Sequence, residues 1–255
     1  MKKIKTLIYQ KISSFLLFNI SQPRISPLSD YNKLVKHLEV CDVILVEGRS
    51  RAARAISVIT RSIWTHSALY IGNFEELTED IQELILKHNS KLGSGPLIIE
   101  SNIGEGVVIK NLNIYELDHL RICRPRNISK IQQNIIINYV LSELGLPYDN
   151  QQIFDLARFF CPWWILPRKW HSSLFNHNAQ NPTKLTCSLL IATAFIKAKF
   201  PILPLLEKTT DGKLNMRTRN PRLFVPSDFD YSPFFEIIKY PIVEFDIFKN
   251  QYTLY

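Results

Sequence analysis

From residue 42 onward, short apolar runs alternate with turn residues. DVILVEG (residues 42–48), SALYIGN (67–73), PLIIES (96–101), GVVIKNL (106–112) and LRICRP (120–125) each have strand length, β-branched enrichment and a turn signal at one end. Together they predict a largely antiparallel sheet. Between the first two runs, SRAARAISVITRSIW (50–64) has helical spacing at Ala53, Ile56 and Ile59 or Ile63. Between the next two, FEELTEDIQELILKHNS (74–90) repeats Leu77, Ile81, Leu84 and Ile85. Both are expected as helices outside the sheet. Further helices are read at SKIQQNIIINYVLSELG (129–145), where Gly145 suits a C-cap, at NQQIFDLARFF (150–160), and at TCSLLIATAFIKAKF (186–200). In the last of these Thr186 is placed to cap the helix and Cys187 lies in its first turn. The fold class implied is α+β, an antiparallel sheet packed against helices.

The two stretches without such patterning divide the chain. Residues 21–37, opening with SQPRISPLSD, read as a linker, and the main domain is expected over 38–255. Residues 161–185 gather Trp163, Trp164 and Trp170, three prolines and two histidines without periodicity. A loop of that length is expected as a lid or binding loop, with a packed aromatic plug as the alternative.

Residues 1–20 open with lysines in the manner of a signal peptide. Lys5, Gln10 and Lys11 interrupt what would be its apolar centre, and no small-residue cleavage site comes after it, so cleavage is not expected. Ile4, Leu7, Ile8, Ile12, Phe15 and Leu16 instead recur at helical spacing, flanked by Lys2, Lys3, Lys5 and Lys11. Such an amphipathic helix either lies on an anionic membrane or docks on its own domain. No run of about 18 apolar residues predicts a transmembrane helix. A bacterial protein of the cytoplasm or the membrane periphery fits these features.

Composition narrows the chemistry. The 255 residues carry a formal net charge of +8, with 46% apolar content. The charge favours anionic surfaces without choosing among them, and no nucleic-acid recognition motif accompanies it. The four cysteines, Cys41, Cys123, Cys161 and Cys187, form no CxxC pair, and the histidines have no HExxH spacing. Neither a metal nor another cofactor is therefore expected. Thiol chemistry stays open, and it requires thiolate, which a helix N-terminus and a nearby imidazolium favour. Cys187, in the first turn of its helix, is the best nucleophile of the four. Cys41 and Cys123 sit in or beside strands, where a buried, inert thiol is the natural expectation. His66 begins one strand and Glu100 ends another. If the two strands pair antiparallel, imidazole and carboxylate meet at one edge.

The order and context of DVILVEGRSR, WTHSALYIG, IIESNIGEGV, RICRPR, LGLPYD, DLARF, NPTKLTCSLLIATAF and VPSDFDYSPFF resemble the permuted papain-like cysteine hydrolases related to NlpC/P60. The YiiX/YebB branch, with its lipo-like proteins, is the nearest in kind, and the resemblance spans residues 38–235. Ordinary papain-like enzymes place cysteine before histidine. Here His66 comes first and Cys187 lies 121 positions later, the permuted order. The resemblance implies Cys187 as nucleophile, His66 as general base and Glu100 as the residue that orients it. It also implies a substrate-pocket role for Tyr148, and Trp64 is a second substrate-binding candidate. One departure is Cys41, where a glycine is common in the family.

The expected activity is a cysteine amidase or peptidase acting through a Cys187 acyl-enzyme on a small peptide or other acylated substrate. Main-chain N–H groups at the start of the Cys187 helix would hold the oxyanion. The alternatives are a lipid-directed acyl hydrolase or acyltransferase at a membrane, and a binding protein that kept the fold without turnover. The sequence does not indicate an oligomeric state.

Overall fold

The computed structural model describes residues 2–20, 28–90, 92, 94–147, 186–208, 214–240, 243–246 and 251–254. The five apolar runs form strands β1 (Val43–Glu47), β2 (His66–Asn73), β3 (Pro96–Asn102), β4 (Gly106–Asn111) and β5 (His119–Pro125). A ribbon of β6 (Leu205–Lys208) and β7 (Leu214–Arg217) comes next, then β8 (Phe235–Ile238), then a second ribbon of β9 (Val243–Asp246) and β10 (Gln251–Leu254). β8 joins the main sheet, whose order is β4-β3-β2-β1-β5-β8 with every neighbouring pair antiparallel. The helices are α1 (Lys2–Leu17), α2 (Tyr31–Lys36), α3 (Arg51–Thr60), α4 (Glu79–His88), α5 (Lys130–Ser142), α6 (Cys187–Lys197) and α7 (Ser227–Tyr231).

Strand alternation sorts the core into two layers, because successive side chains point to opposite faces. Val43 and Leu45 of β1, Leu69 and Ile71 of β2, and Leu97 and Ile99 of β3 meet α5, α6 and a cluster of Phe195, Phe200, Phe229 and Phe235. Ile44, Val46, Ala68, Tyr70 and Ile98 form the opposite layer with Leu34 of α2. The sheet is thus covered on both faces, which explains why its strands read as nearly continuous apolar runs. Asp42, 0% exposed, ties the start of β1 to β5 by accepting from Arg124 Nε at 2.9 Å and Nη2 at 2.8 Å. Beside it Cys41 is buried at φ +77°, a backbone conformation glycine adopts freely, so the departure at this position has a conformational cost. Burial, and secondarily Asp42, pushes the Cys41 thiol up to about 12, as befits an inert thiol.

Besides the two ribbons, α7, and α2, which falls within the stretch read as a linker and buries Leu34, three elements differ from the sequence expectation. The stripe of α3 that faces inward is Ala52, Ala53 and Ala55, while Ile59 and Ile63 are exposed. The reason is α1: Leu16, 0% exposed, packs against Ala52, Ala55 and Ile103, and only small residues admit that approach. Arg51 N–H also donates to Phe18 O at 3.1 Å and Ile20 N–H to Arg49 O at 3.0 Å, so the end of α1 docks on its own domain. Second, α5 stops at Ser142, and Gly145, at φ +80°, donates instead to Val107 O at 2.9 Å, tying the turn to β4. Third, β8 joins the sheet although its four residues are too few to give an alternating pattern. The candidate helix at 150–160, Cys161 and the loop 161–185 lie outside the described residues.

The docking of α1 has a measurable weight. Leu16→Ala is expected to lower unfolding stability in urea by about 2–5 kcal/mol, the range for truncating a fully buried leucine. An unchanged midpoint would mean that α1 does not pack there.

Candidate active site

The β2–β3 register pairs Leu69 with Ile99 and Tyr70 with Ile98. The start of β2 therefore meets the end of β3, which is the antiparallel pairing that the placement of imidazole beside carboxylate requires. His66 and Glu100 fall on the sheet face that also carries Ala68 and Ile98. His66 Nε2 lies 2.8 Å from Glu100 Oε2.

The Glu100 carboxylate is 0% exposed and fully engaged. Tyr115 donates its hydroxyl to the same Oε2 at 2.8 Å, Asn102 Nδ2 donates to Oε1 at 2.6 Å, and Lys110 Nζ stands 3.7 Å from Oε1. Burial alone would raise its pKa. The hydrogen bond and charge of His66, then Tyr115 and Lys110, outweigh burial and hold it below the usual carboxylate value. Burial, and then the Glu100 charge, pushes the Tyr115 hydroxyl well up, so it stays a donor.

Since Glu100 engages Nε2, Nδ1 is the ring nitrogen left to face Cys187, which lines the same cavity as His66. Cys187 sits at the first position of α6, where the helix dipole favours negative charge. Thr186 is the residue before the first turn, but its side chain makes no capping hydrogen bond. The helix start is held instead by Ser188, whose hydroxyl donates to Phe224 O at 2.7 Å, and by burial of α6 against β2, β3 and α5. Burial would raise the Cys187 thiol. The His66 imidazolium, and then the Ser67 N–H, reverse this and lower it. Burial likewise opposes a charged His66, but the Cys187 thiolate and Glu100 raise it to about 10. The favoured state of the pair is thiolate and imidazolium.

A cavity of about 630 Å³ opens on Cys187 and His66. Its walls include Leu17 and Asn19 at the end of α1, Ala52 and Ile56 of α3, and Lys110 and Tyr115 on the carboxylate side. Trp64 is not on that wall: it is 2% exposed in the core, under the Arg121 guanidinium at 4.6 Å and beside His119 at 4.9 Å. Tyr148 lies outside the described residues. Sequence reading missed the three partners of Glu100. Asn102 was accessible in principle, two residues on and so on the same strand face. Lys110 required the β3–β4 register, and Tyr115 lies on a short 3₁₀ turn, Leu112–Tyr115, with no periodic signal.

Among the described residues no three of His, Cys, Asp and Glu are grouped to hold a metal ion, and no helix is long and apolar enough to cross a membrane. No curated protein matches the chain. Among solved structures, one described as metalloprotein yiiX from Escherichia coli O157:H7 is similar at a TM-score of 0.46 and 14% identity, over 80% of this chain and 98% of that one. A family model described as "Permuted papain-like amidase enzyme, YaeF/YiiX, C92 family" matches residues 37–166, a span that contains His66 and Glu100 and ends before Cys187. Matched over half its length, the chain belongs to this family of permuted papain-like amidases.

Proposed function

We propose that the protein hydrolyses an amide or related acyl bond, in the manner of NlpC/P60-related thiol enzymes, with Cys187, His66 and Glu100 as the catalytic set. The Cys187 thiolate attacks the carbonyl carbon, and N–H groups at the start of α6, that of Cys187 included, receive the oxyanion. His66 Nδ1–H gives its proton to the leaving amine, leaving an acyl-enzyme. His66, now neutral, takes a proton from the incoming water, which attacks the thioester carbon. Collapse returns the thiolate and the imidazolium and releases the carboxylic acid. Glu100 holds the imidazole in one tautomer and orientation throughout.

The observation that carries this reading is His66 lying between a buried, fully hydrogen-bonded carboxylate and a thiol whose ionisation it favours. A binding protein without turnover has no need of that arrangement. Iodoacetamide alkylation at pH 6 tests it without a known substrate, because only an activated thiolate reacts quickly there. Cys187 is expected to label at least about tenfold faster in the wild type than in His66→Ala. Equal rates would remove the basis for the mechanism. Acyl-enzyme trapping from peptide and lipid extracts, read by mass spectrometry, then identifies the acyl group.

A further inference from the structure

The positive charge of this chain is concentrated in two segments. Residues 1–29 and 48–74 hold nine of the 31 lysines and arginines and none of the 23 aspartates and glutamates. The remaining residues carry 22 basic and 23 acidic side chains, which is near neutrality. The fold brings the described parts of the two segments together, since the end of α1 packs on α3 through Leu16, Ala52 and Ala55. Of the basic residues, Arg49 is paired with Asp118 at 2.7 Å. Lys11, Arg54 and Arg61 are exposed.

The same two elements expose apolar side chains in number. Leu17, Phe18 and Ile20 at the end of α1, and Val58, Ile59 and Ile63 on and after α3, are each between 43% and 58% exposed. Arg51, Arg54, Val58 and Arg61 lie along one stripe of α3 at helical spacing, and the guanidinium of Arg51 at its head lies 4.8 Å from the Phe18 ring. Cationic and apolar groups are therefore interleaved across the α1–α3 pair. Solvated surfaces normally scatter large apolar residues singly. Interleaving with guanidinium and ammonium groups is what an anionic lipid interface rewards, by burying the apolar tips below the headgroups and the cations among them. A polyanion such as RNA would use the cations and leave six apolar side chains unexplained.

We propose that the α1–α3 face docks on an anionic bilayer and sets the catalytic cavity against it. Leu17 belongs both to the exposed face and to the cavity wall, and Ala52 and Ile56 of α3 line the same cavity. An acyl chain or lipid-linked amide leaving the bilayer along this face reaches Cys187 without crossing the body of the protein. That assignment of substrate class rests on the hydrolase reading above, whereas docking does not.

Flotation of the full chain with vesicles of 30% phosphatidylglycerol in phosphatidylcholine, and with phosphatidylcholine alone, tests the docking. The wild type is expected to float with the anionic vesicles, weakly with the neutral ones, and less at 0.5 M NaCl. The pairs Phe18→Ser with Ile59→Ser, and Arg54→Glu with Arg61→Glu, are each expected to lower the bound fraction at least about tenfold. Their Cys187 alkylation rates, expected to match the wild type, show that the site remains folded. Cys187→Ala is expected to float as the wild type does. The proposal is overturned if the wild type stays unbound, if both double variants float like it, or if sedimentation shows that they only dissociate a dimer. It is equally overturned if they weaken RNA binding alone. Unchanged alkylation with no flotation sinks the docking and leaves the hydrolase reading standing; flotation with an unreactive Cys187 does the reverse.

Discussion

Cys187→Ala is expected to lower turnover of any substrate the protein hydrolyses by about 10⁴-fold or more, because among the described residues no second cysteine lines the cavity. Among the described residues the other cysteines are Cys41 and Cys123, both 0% exposed and both with thiols pushed up by burial. Truncation at Cys187 removes a single sulfur at a position 8% exposed, so the fold should persist and the loss should be chemical. The same variant makes a prediction that needs no substrate. His66 is raised to about 10 because the Cys187 thiolate and the Glu100 carboxylate outweigh its burial. With the thiolate gone, burial stays and one of the two opposing charges is lost, so the imidazole should titrate at lower pH. Nuclear magnetic resonance of the His66 ring in wild type and Cys187→Ala measures this directly. A ring that titrates identically in both would mean that the sulfur and the imidazole are not paired, and retained turnover would remove Cys187 from the mechanism.

The two residues on which the proposed mechanism turns were visible in the sequence for a local reason. His66 begins a run of strand character and Cys187 begins a run of helix character, so each is placed at an element end by patterning its own neighbours supply. Glu100 was visible only through a pairing that spans a helix, and the β2–β3 register settles its position. What escaped was set by tertiary contact. Ala53 and Ile56 of α3 turn inward as their spacing predicts, yet Ile59 is exposed and Ala52 and Ala55 are buried instead, because the approach of Leu16 selects small residues. Spacing reports that a helix has two faces; which of them is covered depends on what arrives from elsewhere in the chain. Thr186 has the identity of a cap but forms no capping bond, because Ser188 and the surrounding core already fix the helix start. Tyr115 and Lys110 reach Glu100 from a 3₁₀ turn and a neighbouring strand, so no window of sequence contains the site they complete.

The donors around Glu100 set the consequences of Glu100→Gln, the second large effect. Oε2 accepts from both His66 Nε2 and Tyr115, and Oε1 accepts from Asn102. A glutamine amide has one carbonyl oxygen, so its NH₂ must face a donor at one of these positions. If the NH₂ faces His66, Nε2 must give up its proton and Nδ1 carries one in the neutral ring, the wrong tautomer for taking a proton from water. Turnover is expected to fall by about 10³-fold for this reason, with alkylation of Cys187 at pH 6 slowed as well. Stability should respond with a definite sign. Glu100 is held below its ordinary value of 4.5 in the folded protein, so its contribution is complete above that pH and is lost as pH falls through the lower folded value. Above pH 4.5 the variant should be less stable by about 3–5 kcal/mol, since one partner of a buried ion pair has been removed. Towards acid the two proteins should converge, as the wild type alone loses this contribution. Urea midpoints measured from about pH 3 to pH 7 decide it. Parallel curves would show that Glu100 is not ionised in the native state, and with that its role in holding His66 charged would fail.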